Sequence, residues 1–263
     1  MFDFHFMYRN VSKFNLYDLQ SFISELDTSG YYSILMVYNS NKPDGWIQSA
    51  NIIKKNEKIK YNIALRTHAI SPEYCIMMCK AFNSIDKDRL MLNFIAGNIG
   101  GDEKTPTHAI GNNYKEISKD ERLQTLDNFL GIFLKNNNGL AEIAISGSSY
   151  AIFESAKKYA DILFLEYGAY EQKRTKVPNL KKIGVLVKIC IRDTEEAAEN
   201  FILKSGEHGW DPRFYGTYEK IKNNILNINK QEVSDVMIAM TDSDNNFLQV
   251  NSLVKDLSNL NRV

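Results

Sequence analysis

The chain has 263 residues, 44% of them hydrophobic and 24% charged, and its 32 basic and 32 acidic side chains cancel. That length can bury a sizeable core and suits one large α/β domain spanning 1–263, while the balanced charge gives no pull toward nucleic acid or an anionic membrane. No apolar stretch approaches the roughly 20 residues of a membrane span, and the start MFDFHFMYRN lacks the layout of a signal peptide, so the expectation is a cytoplasmic protein with a small-molecule partner.

In chain order, an apolar strand at 2–8 leads to a helix at 16–27, a strand at 32–38 and a helix at 46–55. A third strand, 60–66, precedes Ser71-Pro72, where serine caps and proline opens a helix over 72–85. Cys75 and Cys79 stand four apart on that helix; with Cys190 they make an odd count of three, which fits a reducing compartment. No histidine cluster joins them, so no metal site is expected, and buried small hydrophobes is the reading adopted for them.

A fourth strand at 90–96 is followed by the longest connection, 97–118, "GNIGGDEKTPTHAIGNNYKEIS", which reads as a lid or pocket wall. Then come a helix at 119–134, a strand at 140–146, a helix at 149–159, a strand at 161–166 and a short helix near Tyr170. A seventh strand at 183–191 is followed by helices at 194–205 and 218–226. A last strand at 235–241 and a helix at 248–260 complete the pattern. Strands alternating with crossover helices, eight times over, predict a (β/α)8 TIM barrel; a doubly wound open sheet is the alternative.

In a barrel the carboxyl ends of the strands converge on one mouth. That rule nominates Tyr8 and Arg9, Asn39, Thr67 and His68, Gly97 and Asn98, Ser146 to Ser149, Glu166, Lys188 to Arg192, and Thr241 to Asp244. Gly147-Ser148-Ser149, with Tyr150 after it, lies between the fifth strand and its helix. There, free backbone N–H groups and the positive helix end attract an anion, but a serine cap alone explains the same residues. Asn93 points into the barrel or outward according to pleat parity. Lys188, inside an apolar strand, either faces the mouth or extends its charged end to solvent. His68 is either a packed loop histidine or a partner for a ring cofactor. Dinucleotide-binding, Walker and serine-hydrolase loops are missing from the sequence.

The stretch "ALRTHAISPEYCIMMCKAFNSIDKDRLMLNFIAGN", 64–98, resembles the third and fourth strand region of the bacterial-luciferase-like flavin monooxygenases, closest to their alkanesulfonate monooxygenase branch, with a shortened chain. The likeness continues in "DERLQTLDNFLGIFLK", "SGSSYAIFESAKKYADILFLEYG" and "KIGVLVKICIRDTEEAAENFI". It implies a homodimeric (β/α)8 barrel that uses reduced FMN, supplied by a separate flavin reductase, to act with O2 on a small substrate. It further implies that Gly147, Ser148, Ser149 and Tyr150 hold the flavin phosphate, and that Thr67, His68, Asn93, Gly97 and Asn98 lie by the ring. The cofactor would carry the chemistry, and the protein would orient it and exclude water.

Departures from that pattern concern the substrate. Leu186 and Lys188 stand where the sulfonate branch has arginine and histidine, Leu123 replaces a tyrosine, "TDSDNNF" lacks another, and 202–218 is far shorter than the family's mobile insertion. Two readings follow. One is a two-component FMN-dependent monooxygenase in which Arg9 or Lys188 meets an anionic group and Tyr8 or His68 orients the flavin. The other is a non-catalytic flavin-binding relative or partner subunit. A deazaflavin-dependent oxidoreductase is a third member of the set.

Overall fold

Parity within the first strand shows how the molecule is built. In β1 (Asp3–Tyr8), Phe4, Phe6 and Tyr8 are buried in the large apolar layer shared with the surrounding helices, whereas His5 and Met7 face the other way, into the centre of a ring of strands. The computed structural model describes residues 2–8, 16–37, 44–56, 58–96, 118–176, 180–205, 210–240 and 246–260.

In chain order, β1 is followed by α1 (Leu16–Thr28), β2 (Ser33–Met36), α2 (Gly45–Ile52), β3 (Lys60–Arg66), α3 (Pro72–Ile85) and β4 (Leu90–Ile95). Next are α4 (Lys119–Asn137), β5 (Glu142–Ser146), α5 (Tyr150–Tyr159), β6 (Ile162–Glu166), α6 (Tyr167–Lys173) and β7 (Ile183–Lys188). The rest comprises β8 (Cys190–Ile191), α7 (Glu195–Ser205), β9 (Tyr215–Gly216), α8 (Tyr218–Leu226), β10 (Asp235–Ala239) and α9 (Phe247–Leu260). Eight strands close into a parallel barrel in the order β1-β10-β7-β6-β5-β4-β3-β2. The barrel expected from the alternation is therefore the observed fold, and the open sheet is not.

One predicted strand divides. The run 183–191 leaves the barrel after Lys188, and Cys190–Ile191 pairs with Tyr215–Gly216 in a separate two-stranded sheet. The apolar pattern continues across the break because both halves are buried, the second beneath α7. Several helix starts obey the local signals. Ser71 accepts from the Tyr74 N–H, and Ser118 and Glu121 form a reciprocal capping box at α4.

The barrel interior is layered. Near the amino ends of the strands it is polar: His5, Ser33, Asn62 and Asp235 are fully buried, with His5 Nδ1 2.7 Å from Ser33 Oγ and Nε2 2.8 Å from Asp235 Oδ1. Tyr32 donates to Glu142 at 2.7 Å, and the Lys60 ammonium donates to both at 2.7 and 2.9 Å. Burial and the Glu142 carboxylate push the Tyr32 phenol pKa well above its ordinary value. An apolar layer follows, built from Leu35, Ala64, Met91, Ala144, Ile162, Phe164 and Met237. Gly184 makes room for the Phe164 ring, since a Cβ there would come within 2.3 Å of it. Above this layer, at the carboxyl ends, the inner surface becomes polar again.

Cys75, Cys79 and Cys190 are buried. The Cys75 thiol pKa is raised, first by its hydrogen bond with Cys79 and then by burial, which opposes the thiolate that metal binding or nucleophilic attack needs. Among the described residues, no helix is long and apolar enough to cross a membrane.

Candidate functional site

The fifth strand delivers the loop that matters most. Gly147 has φ +149°, and a side chain there would meet Ile152 at 3.1 Å, so the chain turns into α5 only with glycine in place. Ser149 is the N-cap of α5 and accepts, at 3.4 Å, from the Ile152 N–H. The N–H groups of the first turn ahead of Ile152 have no acceptor within the helix, as at any helix start, and sit at its positive end. The Lys173 ammonium, at the end of α6, donates to the Ser148 carbonyl at 2.7 Å and brings a positive charge to the same loop. Tyr150 is 71% exposed, so its ring is available to solvent or ligand.

Beside this loop, Ser146 donates to Asn93 Oδ1 at 2.8 Å. Asn93 lies between Ala64 and Ala144 in the strand register, both of the inner layer, so its side chain faces the barrel interior and is 2% exposed. Thr67 is buried on the turn after β3, and His68, one residue on, is half-buried. Burial lowers the His68 pKa, and the charges of Arg66 and Arg122 lower it further, so the imidazole is neutral at pH 7. Strand β3 and helix α4 thus bring two guanidinium groups to one histidine, a positive cluster that spacing along the chain does not reveal.

Lys188 resolves its two alternatives through the pleat. Val185, Val187 and Ile189 lie in the helix-facing layer, whereas Gly184 and Leu186 adjoin the inner apolar layer, so Lys188 ends β7 on the inner face. It lines a cavity of about 590 Å³ over the carboxyl ends of β6 and β7, together with Glu166, Tyr167, Trp210 and Arg213. A larger hollow, about 750 Å³, opens at the opposite end among Phe2, Asp27, Tyr31 and Lys58. We place the site at the smaller one, because barrels of this kind build their sites from the loops at the carboxyl ends of the strands.

Tyr8 does not join the mouth. It follows Phe4 and Phe6 on the outer parity of β1, is 6% exposed and packs on the Phe22 ring at 5.1 Å. A strand end alone could not reveal which face Tyr8 takes. Arg9, Asn39, Gly97, Asn98 and the segment 241–244 lie outside the described residues, as does nearly all of the 97–118 connection. Lys173 and Trp210 stand neither at a strand end nor in a motif, so nothing in the sequence marks them. Among the described residues, no group of His, Cys, Asp and Glu is placed to hold a metal ion.

The donors at Gly147-Ser148-Ser149 suit a phosphate, and the inward-facing Asn93, Ser146 and Lys188 leave polar contacts for a ring or substrate nearby. No protein-family model matches the chain. Solved structures do. A riboflavin lyase in complex with modified FMN and riboflavin superposes with a TM-score of 0.77 at 11% identity, covering 100% of this chain and 92% of that one. The EDTA monooxygenase of Chelativorans sp. BNC1 gives 0.74 at 10% identity, covering 100% and 94%. An F420-dependent secondary alcohol dehydrogenase, in complex with an F420-acetone adduct, gives 0.68 at 10% identity, covering 97% of each chain. At such identity the likeness establishes the shared barrel fold.

Proposed function

We propose that the protein is an oxidoreductase of the luciferase-like barrel type that binds a phosphorylated flavin, FMN in its reduced form, and acts with O2 on a small organic substrate. The observation that carries this reading is the loop before α5. Gly147 lets the chain turn into α5 against Ile152, Ser148 and Ser149 supply hydroxyls, the helix start supplies N–H groups, and Lys173 adds a cation. The similar solved structures that name FMN or a monooxygenase support it at the level of the fold.

When bound, the reduced flavin supplies the electrons for oxygen activation. The chain's own residues bind and orient. The loop of Ser148 and Ser149 would hold the phosphate, Asn93 fixed by Ser146 would present its amide N–H₂ toward the mouth, and neutral His68 would offer one donor and one acceptor beside Thr67. Lys188 would meet the substrate from β7. A separate flavin reductase and a homodimer belong to the same proposal. Similarity to F420-dependent enzymes keeps a deazaflavin as the second reading, since the same loop suits any phosphorylated cofactor of that kind.

Anaerobic titration with reduced FMN and, separately, with reduced F420 tests the choice. Saturable binding of FMN, followed by oxygen uptake slower than that of the free flavin, supports the monooxygenase. Binding of F420 alone selects the deazaflavin reading, and binding of neither overturns both.

A further inference from the structure

Among the described residues, four charged side chains line the cavity over β6 and β7: Glu166, Lys188, Asp211 and Arg213. Two of them neutralise each other. The Arg213 guanidinium makes two bonds to Asp211, at 2.9 and 2.6 Å, approaches Glu171 at 3.4 Å and lies over the Tyr167 ring at 4.4 Å. Those bonds hold the Asp211 carboxyl pKa below its ordinary value. Lys188, at the end of β7, is also engaged in an interaction, so it is not a spare cation. Glu166 is exposed, and water solvates it at the rim.

The rest of the wall is uncharged. Leu186, Val187 and Phe214 are apolar. Burial, and after it the Glu171 carboxylate, raises the Tyr167 phenol pKa, so that ring too is neutral. One polar position is open: Trp210 lines the cavity, and its indole Nε1 is buried without a hydrogen-bond partner. An indole N–H can only donate, so what is missing at that atom is an acceptor. A charged ligand would leave water for a wall with no free counter-charge, whereas a neutral one loses little on entry.

We propose that this cavity is the substrate site and that it takes an uncharged single-ring compound carrying one hydrogen-bond acceptor. Its ring would lie against Leu186 and the aromatic side chains, and its acceptor would take the Trp210 N–H. A space of about 590 Å³ falls in the range of small-molecule sites and has room for such a ring. That this compound is the molecule oxidised rests on the function proposed above; that it binds here does not.

The test is isothermal titration of flavin-free protein at pH 7 with three ligands of one shape: neutral phenylacetamide, anionic phenylacetate and cationic phenethylamine. Phenylacetamide should bind saturably and at least tenfold more tightly than either charged compound. Trp210→Phe should weaken its binding severalfold at an unchanged melting temperature. If that variant fails to fold, toluene replaces it on the unaltered protein, since it has the ring without the acceptor, and should bind severalfold more weakly than the amide. Equal affinity for all three ligands, tighter binding of either charged one, no binding of any, or an amide affinity untouched by loss of the Trp210 donor or of the ligand acceptor would overturn the inference. Titration with FMN separates the two proposals. Amide binding without FMN or F420 binding sinks the proposed function and leaves the neutral site standing, whereas FMN binding without amide binding sinks the neutral site alone.

Discussion

The ammonium of Lys173, on α6, donates across 2.7 Å to the carbonyl oxygen of Ser148 and so ties the loop before α5 to the next crossover helix. Lys173→Met removes both the tie and the charge. Hydrogen bonds involving a charged group contribute about 1.5–3 kcal/mol, so FMN affinity should fall at least tenfold. Lys173→Arg should retain much of it. Quenching of FMN fluorescence on binding measures both, and an unaltered affinity in the methionine variant would confine Lys173 to holding α6.

Replacing Ser148 and Ser149 together by alanine separates capping from phosphate binding. The cap bond at Ile152 is long, 3.4 Å, so its loss should cost stability at the low end of the usual range, about 0.5 kcal/mol. Two hydroxyl donors to a phosphate are worth far more, and FMN binding should weaken by an order of magnitude or beyond. A lowered melting temperature with unchanged FMN binding would mean that the serines serve the helix only.

Asp235 accepts from a histidine that has no access to solvent. Asp235→Ala leaves His5 Nε2 without its acceptor in the barrel interior. Such a group costs about 1–3 kcal/mol, and the destabilisation should reach at least that range. Urea unfolding reads it as a lowered midpoint with a preserved slope. A midpoint close to that of the unaltered protein would show that the interior repacks around His5.

Gly184 and Phe164 form a matched pair. Gly184→Ala sets a methyl group against the ring and should destabilise by about 1–3 kcal/mol through overpacking. Phe164→Leu frees space, so the double variant should be more stable than the sum of the two single losses predicts. A double-mutant cycle measures that coupling, and strict additivity would contradict the contact.

Acid should weaken the fold through His68. Its folded-state pKa lies below the ordinary value near 6.5, so between the two values the unfolded chain binds the proton more readily. Stability is unaffected above pH 6.5 and falls as pH drops below it toward the folded pKa. The effect is small, because the ring is half-exposed. His68→Asn should remove this part of the slope, leaving the acid loss that begins lower, where the depressed carboxyls of Asp211 and Asp256 take up protons. Chemical unfolding at intervals from pH 7.5 to 4.5 compares the two profiles.

Much of the fold was legible along the chain because strand and helix leave local periodicities. Ser71-Pro72 marked the start of α3, and apolar runs marked each barrel strand. The run 183–191 misled, since β7 and β8 are both buried and hydropathy alone does not record a change of partner. For the site, Gly147-Ser148-Ser149 was visible as a turn before a helix, but Lys173 was not, because its hydrogen bond spans 25 residues between consecutive crossover units.

What the sequence determined by itself was the number and order of the barrel strands, the position of the glycine-serine loop at a strand's end, and the presence of Leu186 and Lys188 on β7. Those follow from residue type and spacing. Only the tertiary structure decided that Tyr8 faces the helices while Asn93 and Lys188 face the barrel interior, that Arg66 and Arg122 converge on His68, and that Trp210 shares a cavity with Lys188. The reason is geometric. A strand end fixes position to within a residue, but neighbouring residues point to opposite faces, and closing the barrel sets which of them meet.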